Sequence, residues 1–384
     1  SSIRLLSRPA AYLSATNFVT NFESNPYLPV SYTYFAMTDA YIALEGQRVL
    51  EATARAPGQT RGELVFTTAY TGYEESLTDP SYEEQLLTFS YPLIGNYGVR
   101  AERFESDSVH PRGVLARELT DDVATWLQDV GVPAVDTLDT RAIVGAVRDE
   151  GAMQAGIAAG PGASPEAALA ELSQCVPISA YTDIGARVSV NNPIIHNPAG
   201  DGPSVALIDC GVKGSIIDAL TERDAVVHQL PHDATPGMVE ARKPDVLFVS
   251  NGPGDPESFT AAAKLVEEYA GDRPLAGICL GQQVVANALG GRTTKMEFGH
   301  RGVNQPVQDL RSNRVVMTTQ NHGYAVADGG DELTVTQVNV NDGTPEGLDS
   351  DTLGIRTRQY HPEANPGPHD SLSFFDEVIE LAEE

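Results

Sequence analysis

The chain has 384 residues, enough for two or three domains with substantial cores, and 41% are hydrophobic with no apolar run near 18 residues, the pattern of a globular chain without a membrane span. A net charge of −28 and a pI near 4.5 argue against nucleic-acid partners, which require a basic face. Three cysteines, Cys175, Cys210 and Cys279, with no CxxC pair, argue against a disulfide framework or structural zinc, so no metal is expected; they fit a reducing cytoplasm.

Residues 1–36 are Ser-rich, aperiodic and nearly free of acids, holding two Arg and one Glu. They lack the unbroken apolar stretch of a secretory signal. The segment reads as a dispensable, disordered or non-native extension ahead of a start at Met37, with a cleaved targeting segment as the alternative. From 37 to 190 the pattern is mixed α/β. "MTDAYIALEGQRVLEA" alternates like a strand with a Gly-containing turn, and "GELVFTTAY" is a second strand candidate. "ELTDDVATWLQDVGVPAV" has an acidic start, helical spacing and a Gly stop before a short strand, and "TRAIVGAVRDEGAM" is a second helix. Residues 191–203, "NNPIIHNPAGDGP", carry the Asn, Pro and Gly of a linker.

From 204 to 384 the pattern changes. Strand "SVALIDCG", helix "SIIDALTERD", strand "AVVHQL", strand "DVLFVS", helix "SFTAAAKLVEEYA", strand "PLAGICLG" and helix "QQVVANALGG" follow in turn. Continuous apolar strands alternating with amphipathic helices predict a mostly parallel sheet covered on both faces. Ligands of such sheets gather at the carboxyl ends of the strands. The loops after "LFVS" and "LAGI" both lie there.

In "PLAGICLGQQVV", Gly277 and Gly281 flank Cys279 where a strand passes into a helix. That is the form of a nucleophile elbow, whose glycines permit a tight turn and close backbone approach. A helix N-terminus favours a thiolate, and the Leu280 amide is placed for an oxyanion. The spacing alone also fits a buried, inert core thiol. A base would come from "RTRQYHPE", where Glu363 can orient His361 and stabilise its protonated form. "SNGPGDP", residues 250–256, is a stiff loop with exposed amides: an oxyanion and carboxylate cradle from Gly252 and Gly254, or simply a turn.

Gly277-Ile-Cys279-Leu-Gly281, His361-Pro-Glu363 and the GPGDP loop together resemble the class I, triad-type glutamine amidotransferases. More narrowly, "SNGPGDP", "KMEFGHRGVNQPV", "QNHGYAV" and "HPEANPGPHD" resemble the glutaminase small chain of carbamoyl-phosphate synthetase. "GELVFTTAYTGYEESLTDPSYEEQLLTFSYPLIGNYGV" and "DTLDTRAIVGAVRDEGAM" are similar to that family's own first domain, and the likeness spans roughly 37–384. The resemblance implies a smaller mixed α/β N-terminal domain over 37–190, a linker over 191–203, and a doubly wound, mostly parallel-sheet amidotransferase domain over 204–384. It implies that Cys279 attacks the side-chain amide of L-glutamine, with His361 as base then acid and Glu363 orienting it. Amides of Gly252 and Leu280 would hold the oxyanion. Ala69, Gly254, Gln283, Asn321, Gly323 and Tyr324 fall at positions expected to hold the glutamine. Ammonia would pass through a tunnel to a large subunit that uses bicarbonate, ATP and Mg2+ to make carbamoyl phosphate for arginine and pyrimidine synthesis. No cofactor is expected on this chain, and no G-x-x-x-x-G-K-[ST] loop occurs in it.

Two residues depart from the family's usual pattern: Gln282 stands where His is usual, and Ala69 where a Ser contact is expected. A glutaminase for another synthetase and a non-catalytic docking scaffold are the competing readings. The family's own first domain disfavours the former, the intact triad the latter. Only four lysines occur (Lys213, Lys243, Lys264, Lys295), so 21 of the 25 basic residues are Arg; with 53 carboxylates this resembles proteins of salt-accumulating halophiles, where salt screens the self-repulsion.

Overall fold

The first strands of the chain do not form an open sheet; they close on themselves. In the computed structural model, which describes residues 39–383, a closed barrel of seven strands runs in the order Asp39–Leu44, Arg48–Ala56, Ala134–Asp136, Gly113–Leu115, Gln85–Phe89, Gly58–Thr67 and Met153–Ala159. The segment 1–36 lies outside the described residues. Closure leaves the barrel no free sheet edge. Its interior is filled by Ile42, Leu64, Leu86, Leu115, Val135 and Ile157, all fully buried. The expected helices are Asp121–Asp129, ended by Gly131 in the left-handed region (φ 75°), and Thr140–Glu150. Asp139 caps the second by accepting from the Ala142 amide at 3.1 Å.

The second half is a ten-stranded sheet. At its centre Val226–Pro231, Ser204–Asp209, Val246–Val249, Leu275–Ile278 and Ile355–Arg358 are parallel neighbours. Successive residues along Ser204–Asp209 point to opposite faces. Val205 and Leu207 pack with Phe248, Ile278 and Phe374, while Ala206 and Ile208 pack with Val249, Leu265 and Val284. Two covered faces explain the unbroken apolar runs and the doubly wound architecture. The sheet is less parallel than its sequence suggests, because Pro345–Ser350, Thr334–Asn339, Arg292–Asp309 and Val315–Asp328 continue it antiparallel. Short reversals without a crossover helix permit only that direction.

The segment before the sheet is structured too. Ile178 and Ile184 are packed in the sheet's own hydrophobic core. Within 191–203, Ile194–His196 pairs antiparallel with Val226–Pro231 as the edge strand. Among the described residues no helix is long and apolar enough to cross a membrane.

Candidate active site

Two strand ends set the catalytic geometry. Leu275–Ile278 ends at Cys279, which caps the helix Leu280–Ala288 with φ 55° and ψ −105°. A non-glycine residue held there stores about 1–3 kcal/mol of strain. The turn survives because its neighbours have no side chains. A Cβ on Gly277 would lie 2.9 Å from the Gly281 carbonyl carbon, and one on Gly281 would overlap the Val249 carbonyl oxygen. Gly281→Ala is therefore expected to destabilise the protein by about 3 kcal/mol or more. Denaturant unfolding measures this, and an unchanged midpoint would refute the packing argument.

Ile355–Arg358 lies beside this strand, and its Arg358 carbonyl accepts from the Cys279 amide at 2.7 Å. Three residues on, His361 is buried, as is Glu363. Glu363 Oε1 lies 2.6 Å from His361 Nδ1, which fixes the ring and leaves Nε2 without a hydrogen-bond partner of its own. Burial opposes the imidazolium, but the Glu363 carboxylate and the Cys279 thiol outweigh it and push His361 up to about 10. Burial likewise opposes the Glu363 carboxylate, yet Lys213 first and His361 second hold it down at about 2.

Cys279 opens into a cavity at the carboxyl ends of the parallel strands. Of the residues expected at the site, Gly252, Gly254, Gln283, Asn321, Gly323 and Tyr324 line it. Gly252 has no room for a side chain, since a Cβ would overlap the Cys210 carbonyl oxygen. Gln283 Nε2 donates to the Tyr324 carbonyl at 2.8 Å, and the Tyr324 hydroxyl donates to Asp255 at 3.0 Å. Asn321 Nδ2 donates to Asp79 of the first half at 2.9 Å. Leu280 does not line the cavity: its side chain is in the core, and its amide lies in the first helical turn, which has no intrahelical acceptor.

This architecture can be set beside known proteins. The model for "Glutamine amidotransferase class-I" matches residues 206–381, and that for "Carbamoyl-phosphate synthase small chain, CPSase domain" matches residues 42–157. The chain is 69% identical to the carbamoyl phosphate synthase small chain of Halobacterium salinarum, over 90% of this chain and 98% of that one. The chain belongs to the carbamoyl phosphate synthase small-chain family. It is also 41% identical to the member from Methanosarcina mazei and 40% identical to that from Methanocaldococcus jannaschii, each over 89% of this chain and 98% and 99% of theirs. The halophilic relative accords with the acidic, lysine-poor composition.

One expected contact of this small chain moves. Ala69 does not line the Cys279 cavity; it lines a second one, together with Asp79, Lys213, Asn321 and His361. Ser81 reaches the Cys279 cavity instead. Asp79 accepts from the Ser81 amide at 2.9 Å, and the Ser81 hydroxyl accepts from Asn251 Nδ2 at 3.0 Å, so the Asp79-Pro80-Ser81 turn is tied to the loop before Gly252. The Ser in "LTDPSYEEQ" is the signal that could have found it. The second departure does not line the cavity: Gln282 is fully buried and accepts from the Thr357 hydroxyl at 3.2 Å.

Lys213 is the largest omission. Nearly fully buried, its Nζ donates to Glu363 Oε1 at 3.1 Å and to the carbonyls of Ala364 and Asn365 at 2.7 and 2.9 Å, and lies 3.8 Å from Glu105. A lysine kept among four in so arginine-rich a chain was a usable hint. Among the described residues one grouping, His300, His322 and Glu346, brings metal-ligand atoms within 4.8 Å of one another. Burial opposes charge on His300, but Glu346 at 3.4 Å and Asp342 at 2.8 Å raise its pKa.

Proposed function

We propose that this chain hydrolyses L-glutamine at Cys279 and delivers the ammonia to a carbamoyl phosphate synthase large subunit. The observation that carries this reading is Cys279, on a strained elbow at a cavity, beside a buried His361–Glu363 pair. The thiolate adds to the carboxamide carbon, and the amides of Gly252 and Leu280 receive the oxyanion; each such donor contributes about 10²–10³ in rate. His361 gives its proton to the departing nitrogen, so ammonia leaves and a γ-glutamyl thioester remains. The neutral imidazole then takes a proton from water, which attacks the thioester. Glutamate departs, and the thiolate and imidazolium are restored. Ala69 offers no side-chain contact to glutamine, and Ser81 takes that place.

The second cavity shares Asn321 with the first and is also lined by His361, which makes it an adjoining space into which ammonia can pass. The large subunit, paired with this chain in the cytoplasm, uses bicarbonate, ATP and Mg2+ to make carbamoyl phosphate for arginine and pyrimidine synthesis, and this chain needs no cofactor of its own. The test is to purify the chain in multimolar KCl, with and without the cognate large subunit, and to follow glutamine loss and carbamoyl phosphate. Glutamine hydrolysis should rise with the partner and match the product formed. Hydrolysis indifferent to the large subunit would remove the partner from the proposal.

A further inference from the structure

Two charged residues line the Cys279 cavity without serving the triad: Glu63, on the barrel strand Gly58–Thr67, and Arg301, on the long strand Arg292–Asp309. Arg301 is 4% exposed. Its Nη1 donates to the Phe298 carbonyl at 2.6 Å, its Nε has no partner, and among the described residues it forms no ion pair. A guanidinium does not shed its charge, and burying one without a hydrogen-bonded counter-ion is unfavourable. Such a group in a cavity wall is completed by an anion. Arg301 pairs in register with Asn321, and a Cβ on Gly323 would lie 3.1 Å from its Nη2, so the guanidinium underlies the strand that walls the cavity.

Glu63 is arranged differently. It is 3% exposed, with Lys295 donating to Oε2 and Gln85 donating to Oε1 at 3.4 Å. Carboxylate oxygens offer about four acceptor sites in all, so room remains for another donor. Burial disfavours the charge on Arg301, while Glu63, Tyr82 and Cys279 support it, which places all three within electrostatic reach.

We propose that Arg301 and Glu63 form an opposed charge pair that reads the zwitterionic head of the substrate, Arg301 taking the α-carboxylate and Glu63 the α-ammonium. The pair restricts the site to amides of free α-amino acids, and this rests on the glutamine reading above. An Arg fork matches a carboxylate in two parallel hydrogen bonds, and the acceptor sites that Lys295 and Gln85 leave open on Glu63 can take an ammonium.

Three amides separate the roles: glutamine, glutaramate (which lacks the ammonium) and 4-aminobutanamide (which lacks the carboxylate). Ammonia release is measured with the small–large complex. Arg301→Gln should lose about tenfold to a hundredfold in kcat/KM, chiefly through KM, on glutamine and glutaramate, with little change on 4-aminobutanamide. Glu63→Gln should spare glutaramate and penalise the other two. Arg301→Lys should recover part of the loss. Equal losses on all three amides would assign Arg301 to the reacting thiol or to folding, and would overturn the proposal. So would a parent enzyme that cleaves 4-aminobutanamide as well as glutamine, with no variant needed. Calorimetry of L-glutamine binding to Cys279→Ser protein keeps the two readings apart. Binding weakened by Arg301→Gln supports the pair even if hydrolysis is absent, whereas no binding overturns both.

Discussion

Cys279→Ser is expected to reduce glutamine hydrolysis by on the order of 10⁴-fold or more while leaving the fold unchanged. The loss follows from the nucleophile itself. His361 is held as an imidazolium by Glu363 and the thiol, so the resting site contains a proton donor and no strong base. A thiol ionises far more readily than a hydroxyl at the same place, and the hydroxyl would need a base that the protonated ring cannot supply. Little else changes. Ser also has a Cβ, so the strained φ of 55° is neither relieved nor worsened, and Sγ makes only a weak contact of 3.7 Å with the Asn321 carbonyl. Ammonia release and a thermal melt check the two halves. Activity within tenfold of the parent would remove Cys279 from the mechanism.

Lys213→Met is expected to lower stability by about 3–5 kcal/mol, the range for breaking a buried pair from one side. The lysine compensates Glu363 at 3.1 Å and Glu105 at 3.8 Å, and all three side chains are almost wholly buried. The effect depends on pH in a definite direction. The folded-state pKa of Glu363 is lowered from 4.5 to about 2, so its contribution is fully present above about pH 4.5 and is lost as pH falls through 2. The deficit of the variant is therefore largest at neutral pH and narrows as pH drops below 4.5. His361 works in the opposite sense: raised from 6.5 to about 10, it stabilises fully below about pH 6.5 and ceases to as pH rises through 10. The full benefit of both groups spans about pH 4.5 to 6.5. Activity should fall as well, because the His361–Glu363 hydrogen bond loses its anchor. Urea unfolding at pH 7 and pH 4 tests the claim. A deficit equal at both pH values would show that Lys213 acts by packing and not by charge.

The elbow was legible because it is local. Backbone strain at Cys279 requires glycine on either side, and Gly277 and Gly281 lie within two residues of it. The parallel core was legible for a similar reason, since strands covered on both faces carry unbroken apolar runs such as "SVALID" and "VLFV". His361 and Glu363 are two residues apart, so their hydrogen bond could be foreseen as well.

Other features depended on where distant segments meet. Whether the strands of the first half close into a barrel is not written in any one of them, because period-two alternation is the same in an open sheet and a closed one. Asp79 and Asn321 are separated by 242 residues, and Lys213 and Glu363 by 150. Ala69 and Ser81 are twelve positions apart on the same half, and only packing against the Gly252 loop places Ser81 at the cavity and Ala69 beyond it. Dihedral preferences, capping and apolar period act over a few residues and leave their mark in the chain. The environment of a buried charge is set by groups from both halves, and for Lys213 and Arg301 it exists only once barrel and sheet are packed together.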